Sequence, residues 1–65
     1  RIDTLTTRER QVLRIVVAGE TNKGVARLLG ISEKTVEIHR AKVMEKMRAK
    51  SLAGLVKMAA FLETE

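Results

Sequence analysis

An all-α fold of four short helices is what the sequence predicts, and three observations carry the prediction. Hydroxyl side chains of the kind that cap helix starts stand at Thr6, Thr21, Ser32 and Ser51. Apolar residues recur at three- and four-residue intervals after each of them, the period of a helix with a buried side. Gly19 and Gly30 follow the first two of these runs, where a left-handed residue ends a helix.

The first helix is expected over about residues 7–18. In Thr6-Thr7-Arg8-Glu9, Thr6 can accept from the Glu9 N–H while the Glu9 side chain returns a bond to Thr6, a capping box. At about 100° per residue Val12, Leu13, Val16 and Val17 share a face, and Glu9 falls on it one turn earlier. A carboxylate there is either a cap at the helix end or the buried partner of something basic.

The second helix, about 22–29, follows Thr21 and is about two turns long. Gly24 inside it costs roughly 1 kcal/mol relative to alanine. Packing through Val25, Ala26, Leu28 and Leu29 must therefore hold it. After the short turn Gly30-Ile31-Ser32, the third helix is expected over about 33–48 with Ser32 as its cap. Taking Val36 as zero on the helical wheel, His39, Val43 and Met47 lie within about 60° of it. Met44 and Met47 read as core filler. Ser51 caps a fourth helix, about 52–62. One of its apolar faces holds Leu52, Leu55, Val56 and Ala59, and a second holds Gly54, Met58 and Phe61. A helix apolar on two sides has two things to pack against.

With 65 residues the chain is expected to be one domain over 1–65, near the lower limit for folding without staples. It has no cysteine and no proline, and Phe61 is its one aromatic residue, so the core must be aliphatic. No apolar run reaches the length that spans a bilayer and no signal-peptide pattern is present. A soluble, cytoplasmic protein is expected, cut from a longer one because the chain starts at Arg1 without a methionine. Thirteen basic residues against eight acidic ones leave a net charge of +5, which favours a polyanionic partner. Residues 33–50 hold six basic and three acidic residues, so +3 of the +5 sits there.

Two helices joined by a tight glycine turn form a helix-turn-helix unit, whose second helix enters the DNA major groove. Ala26 is small where the helices cross, Gly30 can take positive φ in the turn, and Val36 anchors the second helix. A plain αα-hairpin matches the same spacing, so the charges decide. Lys34, Glu37, Ile38, Ala41, Lys42 and Glu45 occupy the side opposite Val36, between roughly 100° and 240°. Ile38 suits a thymine methyl, Glu37 can accept from cytosine N4, and Ala41 permits close approach; Lys34 completes the expected base-reading set. Lys42 and Lys46 are suited to phosphates, as are the hydroxyls and free N–H groups at Ser32 and Thr35.

His39, the single histidine, lacks the partners that catalysis or metal binding needs and is expected to be packed and hydrogen-bonded. No paired carboxylates, nucleophile motif or glycine-rich phosphate loop is present, so no enzymatic activity, cofactor or metal is expected. Arg40 lies only about 40° from Val36, inside the buried stripe. Glu9 and Arg40, opposite charges on core-facing sides, are expected to pair, the alternative being that Arg40 snorkels out to a phosphate.

The runs Leu5-Thr6-Thr7-Arg8-Glu9-Arg10-Gln11-Val12-Leu13, Thr21-Asn22-Lys23 with Val25-Ala26, and Leu29 through His39 resemble the LuxR-type (GerE) DNA-binding domain. VEIHRAKVMEKMRAKSL is most similar to its FixJ-like branch of two-component response regulators. The resemblance covers nearly the whole chain. It implies a tetrahelical helix-turn-helix domain that binds double-stranded DNA as a homodimer through the fourth helix, following a phosphorylatable receiver domain. It also makes Asn22 and Lys23 phosphate contacts, in keeping with the electrostatics of a helix start. Gly24 departs from the family, which more often has a glutamate, serine or other helix former there, and bears on the rigidity of helix two.

The function expected is therefore that of the DNA-binding part of a bacterial transcriptional regulator, with the third helix in the major groove. Gly54, Met58 and Phe61 are expected to form the dimer interface, and RNA polymerase is a further candidate partner. The alternatives are region 4 of a sigma factor and a small helical adaptor that binds only protein. An anionic membrane fits less well, because no helix joins a broad apolar face to a strongly basic one.

Overall fold

Each helix starts where a hydroxyl accepts from a first-turn N–H. In the computed structural model, which describes the backbone of residues 4–63 and the side chains of residues 4–60, the order is α1 (Thr7–Val17), α2 (Asn22–Leu29), α3 (Glu33–Met47) and α4 (Leu52–Glu63). Thr6 and Glu9 make both bonds of the capping box, at 3.1 and 2.9 Å. Thr21, Ser32 and Ser51 accept from Gly24, Thr35 and Gly54 N–H respectively, each at 3.1 Å. No helix among the described residues is long and apolar enough to cross a membrane.

The helix ends differ in kind. Gly30 takes φ 68° and closes α2, its N–H and that of Ile31 both reaching back to the Ala26 carbonyl. At the end of α3, Arg48 holds φ 56°, a left-handed conformation that costs a residue with a Cβ on the order of 1 kcal/mol. The turn repays this by bringing the Ala49 N–H onto the Met44 carbonyl at 2.9 Å and packing Ala49 against the core. α4 can then fold back along α3.

The core divides in two, with α1 and α3 contributing to both halves. Val12 and Val16 of α1 meet Val25 and Ala26 of α2 and Val36 of α3. Leu13 of α1 meets Leu5, which precedes that helix, with Val43 and Met47 of α3 and with Leu55 and Ala59 of α4. The single face expected for α1 is thus shared between two partners, one on either side. The cost of Gly24 to α2 has no steric requirement for glycine to offset it. A Cβ there would meet Glu20 Oε1, the far end of a flexible side chain, so that tip occupies the space and little else opposes a larger residue.

Three expectations need correction. Leu28 does not help hold α2 down but is 64% exposed. Among the described side chains of α4 the buried ones are Leu55 and Ala59, each 3% exposed, while Leu52 and Val56 stand out in solvent at 46% and 37%. The surface offered to α4 by α1 and α3 is too narrow to cover a four-residue face, and only the strip nearest the core is buried. The third correction concerns charge. Glu9 pairs with Lys46 at 2.8 Å, not with Arg40. α1 begins beside the last turns of α3, and Lys46 lies six residues beyond Arg40, about 9 Å further along the helix. Lys46 Nζ also donates to the Thr4 carbonyl at 3.3 Å, so one ammonium ties the approach to α1, its cap and the end of α3.

The Glu9 carboxyl is held below its ordinary value of 4.5, first by the hydrogen bond from Lys46, then by the backbone N–H of Thr6. A depressed folded-state pKa stabilises the fold fully above the unfolded value, and that stabilisation is lost as the pH falls through the folded one. Acid unfolding of the parent should therefore steepen below about pH 4.5, and Glu9→Gln should flatten that limb. At neutral pH the variant should lose about 1–3 kcal/mol in chemical denaturation. That is less than for a fully buried pair, because the Lys46 side chain remains 29% exposed.

Candidate nucleic-acid interface

Burial on one side of α3 dictates what the other side shows. Val36, Val43 and Met47 are at most 1% exposed, so the opposite side of the helix must face solvent. Lys34, Glu37, Ile38, Ala41, Lys42 and Glu45 are all exposed, Ile38 to 52%. At helical spacing these form two stripes. Lys34, Ile38 and Lys42 follow one another at i, i+4 with the isoleucine between two cations, and Glu37, Ala41 and Glu45 run beside them. The face therefore presents an apolar centre, two cations, two anions and a small residue. Such a surface is suited to reading base edges, with the exposed Lys42 at its margin able to reach a phosphate.

The start of α3 is already internally bonded. Ser32 Oγ and Thr35 Oγ1 lie 2.9 Å apart, and Ser32 Oγ also accepts from Thr35 N–H. One of the two hydroxyl protons is spent between them and one remains to offer to an acceptor. The N–H groups of Glu33 and Lys34 belong to the first turn and have no partner within the helix.

The start of α2 supplies a second group of polar side chains. Lys23 is exposed and Asn22 half-buried. Arg40, half-buried on α3, donates through Nη1 to Asn22 Oδ1 at 2.5 Å. That contact was not apparent in the sequence. Arg40's place in the buried stripe signals an inward-facing partner, but the helical period does not say which helix supplies it, and here α2 does. His39 is half-buried.

The expected phosphate set thus separates by availability. Lys23 and Lys42 are exposed; Lys46 is engaged with Glu9 and Thr4 on the α1 side of the molecule. Of the expected dimer residues, Gly54 is half-buried and Met58 is 36% exposed, whereas the Phe61 side chain lies outside the described residues. Leu52 and Val56, assigned by the periodicity to the core, join Met58 among the exposed apolar side chains of α4.

Comparison with known proteins agrees with this architecture. Residues 3–59 match the family described as "Bacterial regulatory proteins, luxR family". The chain is 63% identical over 59 residues to the transcriptional regulatory protein FixJ of Rhizobium meliloti, covering 91% of this chain and 29% of that protein. It is 51% identical over 57 residues to nodulation protein W of Bradyrhizobium diazoefficiens, covering 88% of this chain and 25% of the relative. Among solved structures, the response regulator StyR superposes with a TM-score of 0.89 at 44% identity, over 91% of this chain and 30% of that one. Full-length FixJ from B. japonicum gives 0.85 at 47%, over 91% and 29%. The chain spans less than a third of the length of each of these relatives.

The separation of the lysines makes a clear prediction. Lys42→Ala should weaken binding to all duplex sequences alike and reduce the slope of log affinity against log salt by about 0.9. Lys46→Ala should leave that slope nearly unchanged and lower the melting temperature of the free protein instead. Affinity titrations between low and moderate salt, beside thermal melts, read both.

Proposed function

The chain belongs to the luxR family of bacterial regulatory proteins, and from that premise we propose that it is the sequence-specific DNA-binding part of a transcription regulator of the response-regulator kind. It is not an enzyme. Helix α3 lies in the major groove, where Ile38, Glu37, Ala41 and Lys34 meet base edges. Lys23, Lys42, Asn22 and the start of α3 at Ser32 and Thr35 meet the backbone.

One observation carries this reading. An isoleucine more than half exposed sits between two lysines on a helix whose opposite side is almost wholly buried. A solitary exposed isoleucine is ordinary on any surface. One held rigidly at the centre of a charged, solvent-facing helix side, directly after a tight left-handed turn, fits a groove that has methyl groups and hydrogen-bonding edges to offer.

Two copies bind a two-fold site through α4. Leu52 and Val56 lie about 40° apart on α4 and stand exposed as an apolar pair on a small body, and an interface with two-fold symmetry places the same residues on both sides. The residues beyond this chain in the intact regulator include a receiver domain, as the short share of each relative covered supports. The regulator acts in the cytoplasm, beside RNA polymerase.

Selection of bound duplexes from a randomised DNA pool tests the assignment. The parent should enrich one short motif, and Ile38→Ala should change the preference at one or two positions by about 1–3 kcal/mol each. Identical motifs from both proteins would remove Ile38 from the base-reading set. For the α4 contact, Val56→Glu should alter the stability of the free domain by no more than about 0.5 kcal/mol, being a surface change. It should nonetheless weaken binding to a paired site more than to a half-site, which gel-shift titrations on the two duplexes measure.

A further inference from the structure

The bond between Arg40 and Asn22 settles more than a helix crossing. A guanidinium has five N–H donors and no acceptor. Only the oxygen of the Asn22 amide can therefore face it, as the Nη1 to Oδ1 contact records. The amide NH2, with both its donors, is turned away from Arg40. Around it the corner is rich in donors. Thr21 Oγ1 is occupied by Gly24 N–H, the N–H groups of Asn22 and Lys23 have no partner within α2, and the Lys23 ammonium is exposed. The Glu20 carboxylate lies against Gly24, about 160° round α2 from Asn22.

We propose that Arg40 is a positioning residue for binding of the DNA backbone: it grips the Asn22 amide by its oxygen so that the NH2 group meets an incoming phosphate. Without Arg40 the amide is free to rotate, and the orientation that offers oxygen to a phosphate is repulsive. Arg40 itself remains half-buried between the helices and acts through Asn22. The proposal rests on the DNA-binding reading above and assigns a role which that reading leaves open.

The test is a double-mutant cycle on a half-site duplex and on a random-sequence duplex, titrated across salt. Arg40→Ala and Asn22→Ala should each weaken binding about three- to tenfold at both sequences, the worth of one hydrogen bond. The double variant should be no weaker than Asn22→Ala alone. The salt slope should stay that of the parent, since no charge–phosphate contact is lost. Arg40→Lys, which retains a donor for the amide oxygen, should recover part of the affinity. In the free protein, the Asn22 side-chain NH2 resonances should collapse toward free-amide positions in Arg40→Ala while the backbone resonances of α3 hold. Additive losses with a salt slope reduced by about 0.9 would make Arg40 a phosphate contact itself and overturn the proposal. A lowered melting temperature with affinity unchanged would reduce the pair to a structural tie and overturn it equally. A parent that binds neither duplex in a salt-dependent way would overturn the DNA-binding reading, and this proposal with it.

Discussion

Burial of one stripe of α3, Val36, Val43 and Met47, is the constraint on which the rest of the structure depends. Those three side chains join both halves of the core, Val36 with α1 and α2, Val43 and Met47 with α1 and α4. A fully buried side chain of this kind contributes roughly 1.5–3 kcal/mol through apolar area removed from water. In a 65-residue chain without cysteine there is no second device of comparable strength. Rotating α3 by even a third of a turn would expose the stripe and bury Lys42 or Glu37. The helix is thus held in one rotational setting, and its outer side is defined by default.

Polar ties refine that setting along the length of the helix. Ser32 caps the start of α3, Arg40 reaches Asn22 on α2, and Lys46 reaches Glu9 and Thr4 beside α1. Neither long-range tie is deeply buried at both ends, so each contributes less to stability than the apolar stripe. Their value lies in direction. Each joins a different neighbour to a different turn of α3, so that sliding or tilting the helix breaks at least one. The left-handed residues Gly30 and Arg48 bracket the same helix and set the angles at which α2 and α4 meet it.

The outer side of α3 is balanced in charge, and this divides labour within the site. Base edges call for groups placed to fit, while phosphates call for cations and free N–H groups. The first kind is on the middle of α3. The second is at the starts of α2 and α3, with Lys23 and the Asn22–Arg40 corner, and at Lys42 on the margin of the face. Among the described side chains of α4, by contrast, Leu55 and Ala59 are buried, while Leu52, Val56 and Met58 stand outside. Those three exposed side chains leave α4 apolar surface for a second copy.

Much of this was legible in the residue order because it is local. Capping boxes, hydroxyl caps and a left-handed glycine act within four residues, so Thr6–Glu9, Thr21, Ser32 and Gly30 declare the helix ends directly. The helical period likewise separates the buried stripe of α3 from its outer face, because a strongly apolar triad spans three turns. What the period cannot supply is how neighbouring helices are set against one another. Arg40 and Glu9 each face inward, and the sequence alone made them partners. Only the packing decides that α2 crosses α3 at Arg40 while α1 meets it near Lys46. The same holds for α4, where Leu52, Leu55, Val56 and Ala59 are equivalent on a wheel. Which of them is buried depends on the width of the surface that α1 and α3 present, a property of three helices together that no single helix encodes.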